Sequence, residues 1–382
     1  MKILIAPDKF KNVNTSQKMA ELMRNAIQKQ WPEALIRLCP LADGGDGTLN
    51  AVVYSLKGKT VIGNTFNPLM KPIQAPYGLT QLPEKNSALV EMSQASGLSL
   101  LLPAERNPMK TTTYGTGKLV VEAILQGCGT IRVTLGGSAT VDGGMGFLQA
   151  LGAVIQTRSG SVPTGASGRY LSQVTGIDLA PAQILLKNST LVGLIDAQVP
   201  LLGPLGAAHL YAPQKGASAP EVEELEMGLA HFERMLSMTC GKSFAQELGV
   251  GAAGGLGLAI RALGGTLENG FGFVSGTLKL ADQIKDCDLI LTGEGKLDES
   301  SRQGKVTVGV ARLAKAAGKP CVAIVGALEA ELPWLKEEGF SKVIPLFETP
   351  FTAPDDPRKE QVPQRLIEAI GKLLSGAQRI YS

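Results

Sequence analysis

The residues best able to do chemistry in this chain lie in or beside four glycine-rich stretches. Glycine lets a backbone turn sharply and lets its N–H groups approach a ligand closely. Free N–H groups at the start of a helix also favour phosphate. A single stretch of this kind is more often a plain tight turn, but four of them favour a ligand site. The stretches are residues 42–48, 136–144, 251–257 and 293–298.

Several carboxylates accompany these turns. Asp196 directly follows the apolar residues 191–195, where an unpaired carboxylate is costly. A general base or magnesium ligand and a turn or capping residue are equally good interpretations of it. Asp43 and Asp46 could hold a cation or a polyol, although Asp46 could instead cap the helix expected near Leu49. The acids considered are Asp8, Asp43, Asp46, Asp142, Asp196, Glu294 and Asp298.

The basic residues narrow the chemistry further. Lys11, Lys215 and Lys296 are candidate anion holders, although a single lysine is more often a solvated charge. The only histidines are His209 and His231, which excludes a zinc site with several histidine ligands and argues against Ser-His-Asp catalysis. If the protein is an enzyme, carboxylates, lysines and backbone amides must carry the reaction.

Composition argues against several partners. The 37 basic and 34 acidic residues leave a formal charge of +3, and aromatic residues are 5%, so a nucleic-acid partner is not expected. The apolar start of the chain is too short for a signal peptide, and no apolar run is long enough for a bilayer. The five scattered cysteines are typical of reduced thiols. We therefore expect a cytoplasmic protein that does not bind membranes.

The elements that must position these residues alternate between strands and helices at both chain ends. Residues 1–56 are typical of a βαβα unit, and strands are predicted at 288–292, 322–325 and 343–346 with helices between them. Such alternation predicts a doubly wound parallel sheet. At 382 residues the chain is long enough for two domains. We predict one domain from 1–60 plus 286–382, with 61–285 inserted as a second α/β domain.

Known phosphate-binding signatures are missing from the sequence, since it has no P-loop, dinucleotide fingerprint or protein-kinase signature set. Seven other stretches nevertheless occur in a recognisable order over residues 3 to about 326. They are residues 6–8 with 10–11, 41–48, 136–140, 142–144, 213–217, 251–255, and 292–298 with 304–305. Together they resemble the bacterial glycerate kinase family, which phosphorylates D-glycerate with ATP.

The resemblance implies a flavodoxin-like domain built from both chain ends, an inserted α/β domain and an active-site cleft between the domains. It implies ATP-dependent phosphorylation of a small hydroxy acid, with D-glycerate to 2-phosphoglycerate as the expected reaction. ATP and Mg²⁺ are the expected cofactors. Whether the protein forms a homodimer stays open.

Phosphoryl transfer depends on positioning and on neutralising charge, which suggests roles for the candidate residues. Asp196 would deprotonate the attacking hydroxyl, and Lys11 or Lys215 would hold the substrate carboxylate or the moving phosphoryl group. Glu294 and Asp298 would bind the metal. The remaining assignments are substrate binding by Asp8, Asp43, Asp46 and Asp142, and ATP binding by Gly136, Gly137, Ser138, Gly254, Gly255 and Lys296.

The sequence departs from the family pattern at several polar positions, among them Lys9, Tyr114, Val141 and Val199. These changes keep two alternatives open. One is a kinase of the same fold that acts on a different small hydroxy acid or polyol. The other is a homologue that binds a small ligand without catalysis.

Overall fold

The structure is a computed structural model that describes residues 1–81, 86–329, 332–353 and 355–381. Its strands are β1 (Lys2–Ile5), β2 (Leu35–Leu38), β3 (Lys59–Phe66), β4 (Pro72–Thr80), β5 (Ser87–Glu91), β6 (Thr130–Thr134), β7 (Val154–Thr157), β8 (Gly160–Ser161), β9 (Val174–Asp178), β10 (Thr190–Ile195), β11 (Thr266–Asn269), β12 (Leu289–Thr292), β13 (Lys296–Leu297), β14 (Cys321–Val325), β15 (Ala327–Leu328) and β16 (Phe340–Pro345).

The α-helices follow in the same chain order. They are α1 (Ser16–Gln30), α2 (Thr48–Leu56), α3 (Ser93–Ser96), α4 (Tyr114–Leu125), α5 (Met145–Ala150), α6 (Ala180–Leu185), α7 (Ala207–Tyr211), α8 (Ala219–Cys240), α9 (Ala252–Ala262), α10 (Gly270–Thr277), α11 (Leu280–Lys285), α12 (Val306–Ala316) and α13 (Val362–Tyr381). Within the described ranges, no helix has both the length and the apolar character needed to cross a membrane.

The chain divides into two compact units. Unit 1 comprises Met1–Asp43, Asn50–Ser55 and Phe271–Ser382, and unit 2 comprises Gly44–Leu49 and Leu56–Gly270. The limits expected from sequence differ from these mainly at residues 271–285, which belong to unit 1.

Unit 1 is built on a parallel sheet with the strand order β16-β14-β12-β1-β2. Its central strands are continuously apolar because helices cover both faces of a parallel sheet. Alternate residues such as Ile3 and Ile5 join a core with Met23 of α1 and Ile370 of α13. The strands predicted at both chain ends are therefore confirmed, and they share one sheet.

Helix α1 shows how local sequence sets an element in unit 1. The Thr15 side chain accepts a hydrogen bond from Lys18 N at 3.2 Å and caps the helix. Apolar residues at helical spacing, including Met19, Met23 and Ile27, face the core. The helix ends before Trp31, whose N–H returns to Ile27 O.

Unit 2 contains a mixed sheet with the strand order β11-β10-β6-β5-β4-β3. Strands β11, β10, β6 and β5 are parallel, whereas β4 and β3 continue the sheet as antiparallel strands. Helix α8 is amphipathic and buries Leu225, Leu229 and Phe232. The parallel strands all end on one edge, and the glycine-rich stretch 136–144 follows β6 at this edge.

Candidate active site

The carboxyl ends of the parallel strands in unit 2 bring several predicted residues to one edge. Strand β6 runs directly into residues 135–144, β10 ends immediately before Asp196, and β5 ends at Glu91. Ligands of open α/β sheets bind beyond such strand ends. The glycine-rich stretch at residues 136–144 therefore lies where a ligand of such a sheet would bind.

Two of the glycine-rich stretches pack directly on each other in unit 2. A Cβ on Gly136 would lie 2.5 Å from Gly45 Cα, so only glycine permits this approach of the two backbones. Gly137 has φ +73°, and a Cβ there would overlap the Asp46 carboxylate. The turn after β6 is thus shaped around residues 45–46.

Lys215 lies beneath the turn after β6. It ends the short 3-10 helix Pro213–Lys215, and its side chain is 3% exposed. Its Nζ donates hydrogen bonds to Ser138 Oγ at 2.7 Å and to Thr140 O at 2.8 Å. Burial lowers the pKa of Lys215 to about 7, against the opposing effect of the negative charge on Asp142. Lys215 is therefore a buried amine that is hydrogen-bonded to the inner side of the turn.

Asp142 is fully buried in the same turn. Its carboxylate accepts hydrogen bonds from Thr113 N and Thr113 Oγ1 at 2.8 Å each, from Gly144 N at 3.1 Å and from Gly146 N at 3.3 Å. Burial raises the pKa of Asp142, and these hydrogen bonds oppose the rise. An enclosed carboxylate with these donors anchors the turn to the starts of α4 and α5.

The stretch at 251–257 meets the same turn. Ala253, Gly254 and Gly255 have φ values of +56°, +69° and +93°, which interrupts the start of α9. Gly254 O accepts a hydrogen bond from Gly143 N at 3.0 Å. A Cβ on Gly254 would collide with Thr140 O. Both glycines are buried, so their lack of a side chain serves the close packing of two backbones.

Asp196 is exposed at the carboxyl end of β10, next to the strand that carries the turn. Its negative charge, together with the larger effect of burial, raises the pKa of Tyr211. The carboxylate is therefore close enough to Tyr211 in unit 2 to affect its ionisation, and it keeps access to solvent. That position suits a group that must exchange protons.

A second group of predicted residues assembles in unit 1. Asp8 N donates to Gly293 O at 2.8 Å, and Leu41 N donates to Pro7 O at 3.0 Å. These bonds continue the pairing beyond β1, β12 and β2. The acids that follow these strands, Asp8, Glu294 and Asp43, are between 5% and 9% exposed.

The electrostatics of this acidic group follow from its burial. Burial, and then the nearby Asp43, raises the pKa of Asp8, while Lys9 and Lys305 oppose the rise. Burial also raises the pKa of Glu294; Lys305 opposes this rise and Asp8 adds to it. Glu294 Oε2 accepts a hydrogen bond from Ser301 Oγ at 3.2 Å, whereas Oε1 has no hydrogen-bond partner among the described residues.

Two lysine side chains lie near the acidic residues of unit 1. Lys305 Nζ lies 4.0 Å from Glu294 Oε2 and 3.8 Å from Asp298 Oδ1. Lys296 Nζ lies 3.1 Å from Asp298 Oδ2, and Asp298 also caps the 3-10 helix Glu299–Gln303. Lys11 is exposed, and its backbone N limits the space at Gly295. In the described part of the chain, no group of three or more His, Cys, Asp or Glu residues forms a metal site.

Sequence reasoning missed two residues that the structure brings into these groups. Glu91 ends the apolar strand β5 and is buried at 1% exposure. An acid directly after an apolar run is the same signal that selected Asp196, and it could have found Glu91. Lys305 lay in a family-like stretch without an assigned role, and only its distances to Glu294 and Asp298 identify it.

Sequence comparisons show which known proteins this chain is similar to. The sequence profile of the Glycerate kinase family matches residues 3–374. A glycerate kinase of Haemophilus influenzae is 37% identical over 347 residues, which are 91% of each chain. A glycerate 2-kinase of Escherichia coli K12 is 36% identical over 344 residues, 90% of each chain.

A solved structure extends the likeness to three dimensions. The crystal structure of a putative glycerate kinase 2 from Salmonella typhimurium LT2 superposes with a TM-score of 0.82 at 33% identity, covering 100% of this chain and 98% of that chain. The shared architecture is a mixed α/β fold with parallel sheets and helices. On the match of nearly its whole length, the chain belongs to the glycerate kinase family.

Proposed function

We propose that the protein transfers the γ-phosphoryl group of ATP to D-glycerate and forms 2-phosphoglycerate. The observation that carries the proposal is the family match over residues 3–374. The relative in Escherichia coli, a glycerate 2-kinase by name, supports the 2-position as the acceptor. The partners of the reaction are therefore ATP and a small organic acid, and the cytoplasm is the expected location.

In unit 2, the proposed phosphate-binding element is the turn at Gly136, Gly137 and Ser138. Gly137 is exposed, and the buried Lys215 ammonium lies under the turn and bonds Ser138. A positive charge fixed beside backbone N–H groups stabilises charge that develops during phosphoryl transfer. Packing and hydrogen bonds enclose Gly254, Gly255 and Asp142. In our proposal these residues therefore support the turn.

Asp196 is the proposed base of unit 2. Its exposed carboxylate at the end of β10 can accept the proton of the attacking hydroxyl. Asp46, which limits the space at Gly137, is the proposed contact for the hydroxyl groups of the acceptor. Lys11 keeps its proposed role as a holder of an anionic group, whereas Lys215 acts through the turn to which it is hydrogen-bonded.

In unit 1, Glu294 is the proposed ligand of the nucleotide's Mg²⁺, with Asp8 and Asp43 beside it. The fit rests on Glu294 Oε1, a buried oxygen without a hydrogen-bond partner among the described residues. Mg²⁺ in kinases is held by one or two carboxylates plus phosphates and water, so a complete protein cage is not needed. When bound, the ion neutralises phosphate charge. Lys296 and Lys305 hold Asp298 and so orient the acidic group.

We also propose that unit 1 is a flavodoxin-like doubly wound domain and that unit 2 is inserted into it. The strand order β16-β14-β12-β1-β2 in a parallel sheet supports this assignment. It is the order 2-1-3-4-5 of flavodoxin-like folds when the five strands of this sheet are renumbered along the chain.

The environment of three departures from the family pattern favours phosphorylation of D-glycerate over the two alternatives. Val141 is fully buried and Val199 is 6% exposed, so an apolar side chain is suited to both positions. Tyr114 packs edge-on against Phe66, with ring centroids 5.8 Å apart. These three residues serve packing, and their apolar or aromatic character does not by itself remove a substrate contact.

The experiment that tests the function is an acceptor panel with the purified protein, ATP and Mg²⁺. ADP release is followed for D-glycerate, L-glycerate, other small 2-hydroxy acids and glycerol, and ³¹P NMR identifies the phosphorylated position. We expect D-glycerate to give the highest kcat/KM, with 2-phosphoglycerate as product. Preference for another acceptor would replace the substrate, and ATP binding without turnover on any acceptor would refute the kinase proposal.

A further inference from the structure

Glu91 holds the turn at residues 44–49 by hydrogen bonds from inside unit 2. Its Oε1 accepts from Gly47 N at 3.0 Å, and its Oε2 accepts from Leu49 N at 2.9 Å. Ser93 Oγ at 3.2 Å and Gln94 Nε2 at 3.1 Å add further hydrogen bonds to Oε1. Both carboxylate oxygens are therefore engaged, and the side chain is 1% exposed.

A carboxylate so deeply buried is costly unless donors compensate for the lost water. Two of the compensating donors are backbone N–H groups at the start of α2, which have no partner within their own helix turn. Hydrogen bonds between a charged acceptor and such amides are stronger than neutral ones. The carboxylate and the helix start thus stabilise each other.

The turn at residues 44–49, which Glu91 holds, contains glycines that do not by themselves fix its conformation. Gly44 and Gly47 have φ values of +94° and +92°, and glycine gives a chain the greatest conformational freedom. Within unit 2 the turn is also placed by the contact of Gly45 with Gly136. Asp46 lies between Gly45, which contacts Gly136, and Gly47, whose N–H donates to Glu91.

We propose that Glu91 is a positioning residue that sets the affinity for the acceptor by holding Asp46 against the turn at Gly136 and Gly137. The inference rests on the proposed function, in which Asp46 contacts the acceptor. Glu91 does not contact the acceptor itself, because its carboxylate is enclosed and both oxygens are already bonded.

Glu91→Gln is the discriminating variant because it keeps the length and shape of the side chain. It replaces one accepting oxygen with an NH₂ group, which faces a backbone N–H or a side-chain donor instead of accepting from it. Glu122→Gln is the matched control, since Glu122 also accepts a hydrogen bond from a backbone N–H, that of Asn64 at 3.1 Å on strand β3.

Two measurements on the full-length protein test the inference. Steady-state kinetics should show that Glu91→Gln raises the KM for D-glycerate about tenfold while the KM for ATP changes less than about twofold. Hydrogen exchange followed by mass spectrometry should show faster exchange in peptides covering residues 44–56. The Glu122→Gln control should leave both KM values and this exchange as in the wild type.

Other outcomes would overturn the inference. An unchanged KM for D-glycerate, with or without faster exchange, would show that the hydrogen bonds do not set acceptor affinity. A parallel loss for both substrates together with lower thermal stability would indicate a purely structural role. A wild-type protein inactive on D-glycerate would refute the proposed function. The exchange measurement needs no turnover, so faster exchange in Glu91→Gln would still show that the hydrogen bonds of Glu91 stabilise residues 44–49.

Discussion

The ammonium group of Lys215 donates a hydrogen bond to Ser138 Oγ at 2.7 Å, although the two residues are 77 positions apart in the chain. Both residues are buried, with 3% and 8% exposure. The same ammonium reaches Thr140 O at 2.8 Å. The sequence alone would equally allow Lys215 to be a solvated surface residue. The structure instead places it inside unit 2, where it supports the glycine-rich turn.

Lys215→Met should change the pH dependence of stability. The pKa of Lys215 falls from 10.5 to about 7 on burial. Between these values the unfolded chain binds a proton that the folded protein releases, so this lysine makes the free energy of unfolding rise with pH. The slope is at most about 1.4 kcal/mol per pH unit. Urea unfolding at about pH 7 and about pH 9 should show this slope in the wild type and lose it in the variant.

The exposed Lys187 provides the control for that experiment, since Lys187→Met removes a lysine at the surface. We expect its slope to match the wild type. If Lys215→Met also kept the wild-type slope, the lowered pKa of Lys215 would be refuted.

Asp196→Asn should lower kcat at least about a hundredfold, because asparagine cannot accept the proton of the attacking hydroxyl. Binding of an ATP analogue, measured by calorimetry, should stay close to the wild type. Asp178→Asn is the control: Asp178 also lies at the end of a strand, and it accepts from Ala180 N, a bond that asparagine can keep. An Asp196→Asn enzyme with normal kcat would exclude Asp196 as the base.

Gly254→Ala should destabilise the protein by about 3 kcal/mol or more. The residue has φ +69°, and an added Cβ would collide with the backbone oxygen of Thr140. Gly264→Ala separates the two causes, since Gly264 has φ +83° but no atom within 4 Å of its added Cβ. That control should cost only about 1–2 kcal/mol in urea unfolding. Equal losses for both variants would mean that the close packing at Gly254 contributes nothing.

Glu294→Gln should increase several-fold the Mg²⁺ concentration required for half-maximal rate, since a neutral amide binds Mg²⁺ less well than a carboxylate. The readout is a Mg²⁺ titration of the initial rate at saturating substrate, with Mg²⁺–ATP binding measured separately. Glu299→Gln is the control, because Glu299 is exposed and accepts from Trp334 Nε1, a bond that glutamine can retain. An unchanged Mg²⁺ requirement in Glu294→Gln would remove Glu294 from the metal site.

Local patterns were sufficient to predict the elements at the two chain ends. The apolar runs at both chain ends are the strands β1, β12 and β14, because a strand buried on both faces of a parallel sheet needs apolar side chains throughout. The helical spacing of apolar residues in α8, such as Leu225, Leu229 and Phe232, is a local pattern of the same kind. These features depend on residues that are close together in the chain, so the local sequence is sufficient to predict them.

The role of each polar residue was decided by tertiary structure. Asp142 and Asp196 both follow apolar strands or turns, yet one is enclosed by donors and the other is exposed. Glu91 meets Leu49 across 42 positions and Lys215 meets Ser138 across 77. The sequence by itself determined which strands, helices and glycine-rich turns form. Which polar groups lie inside those turns followed only from packing, because the cost of burying a charge depends on partners that are distant in the chain.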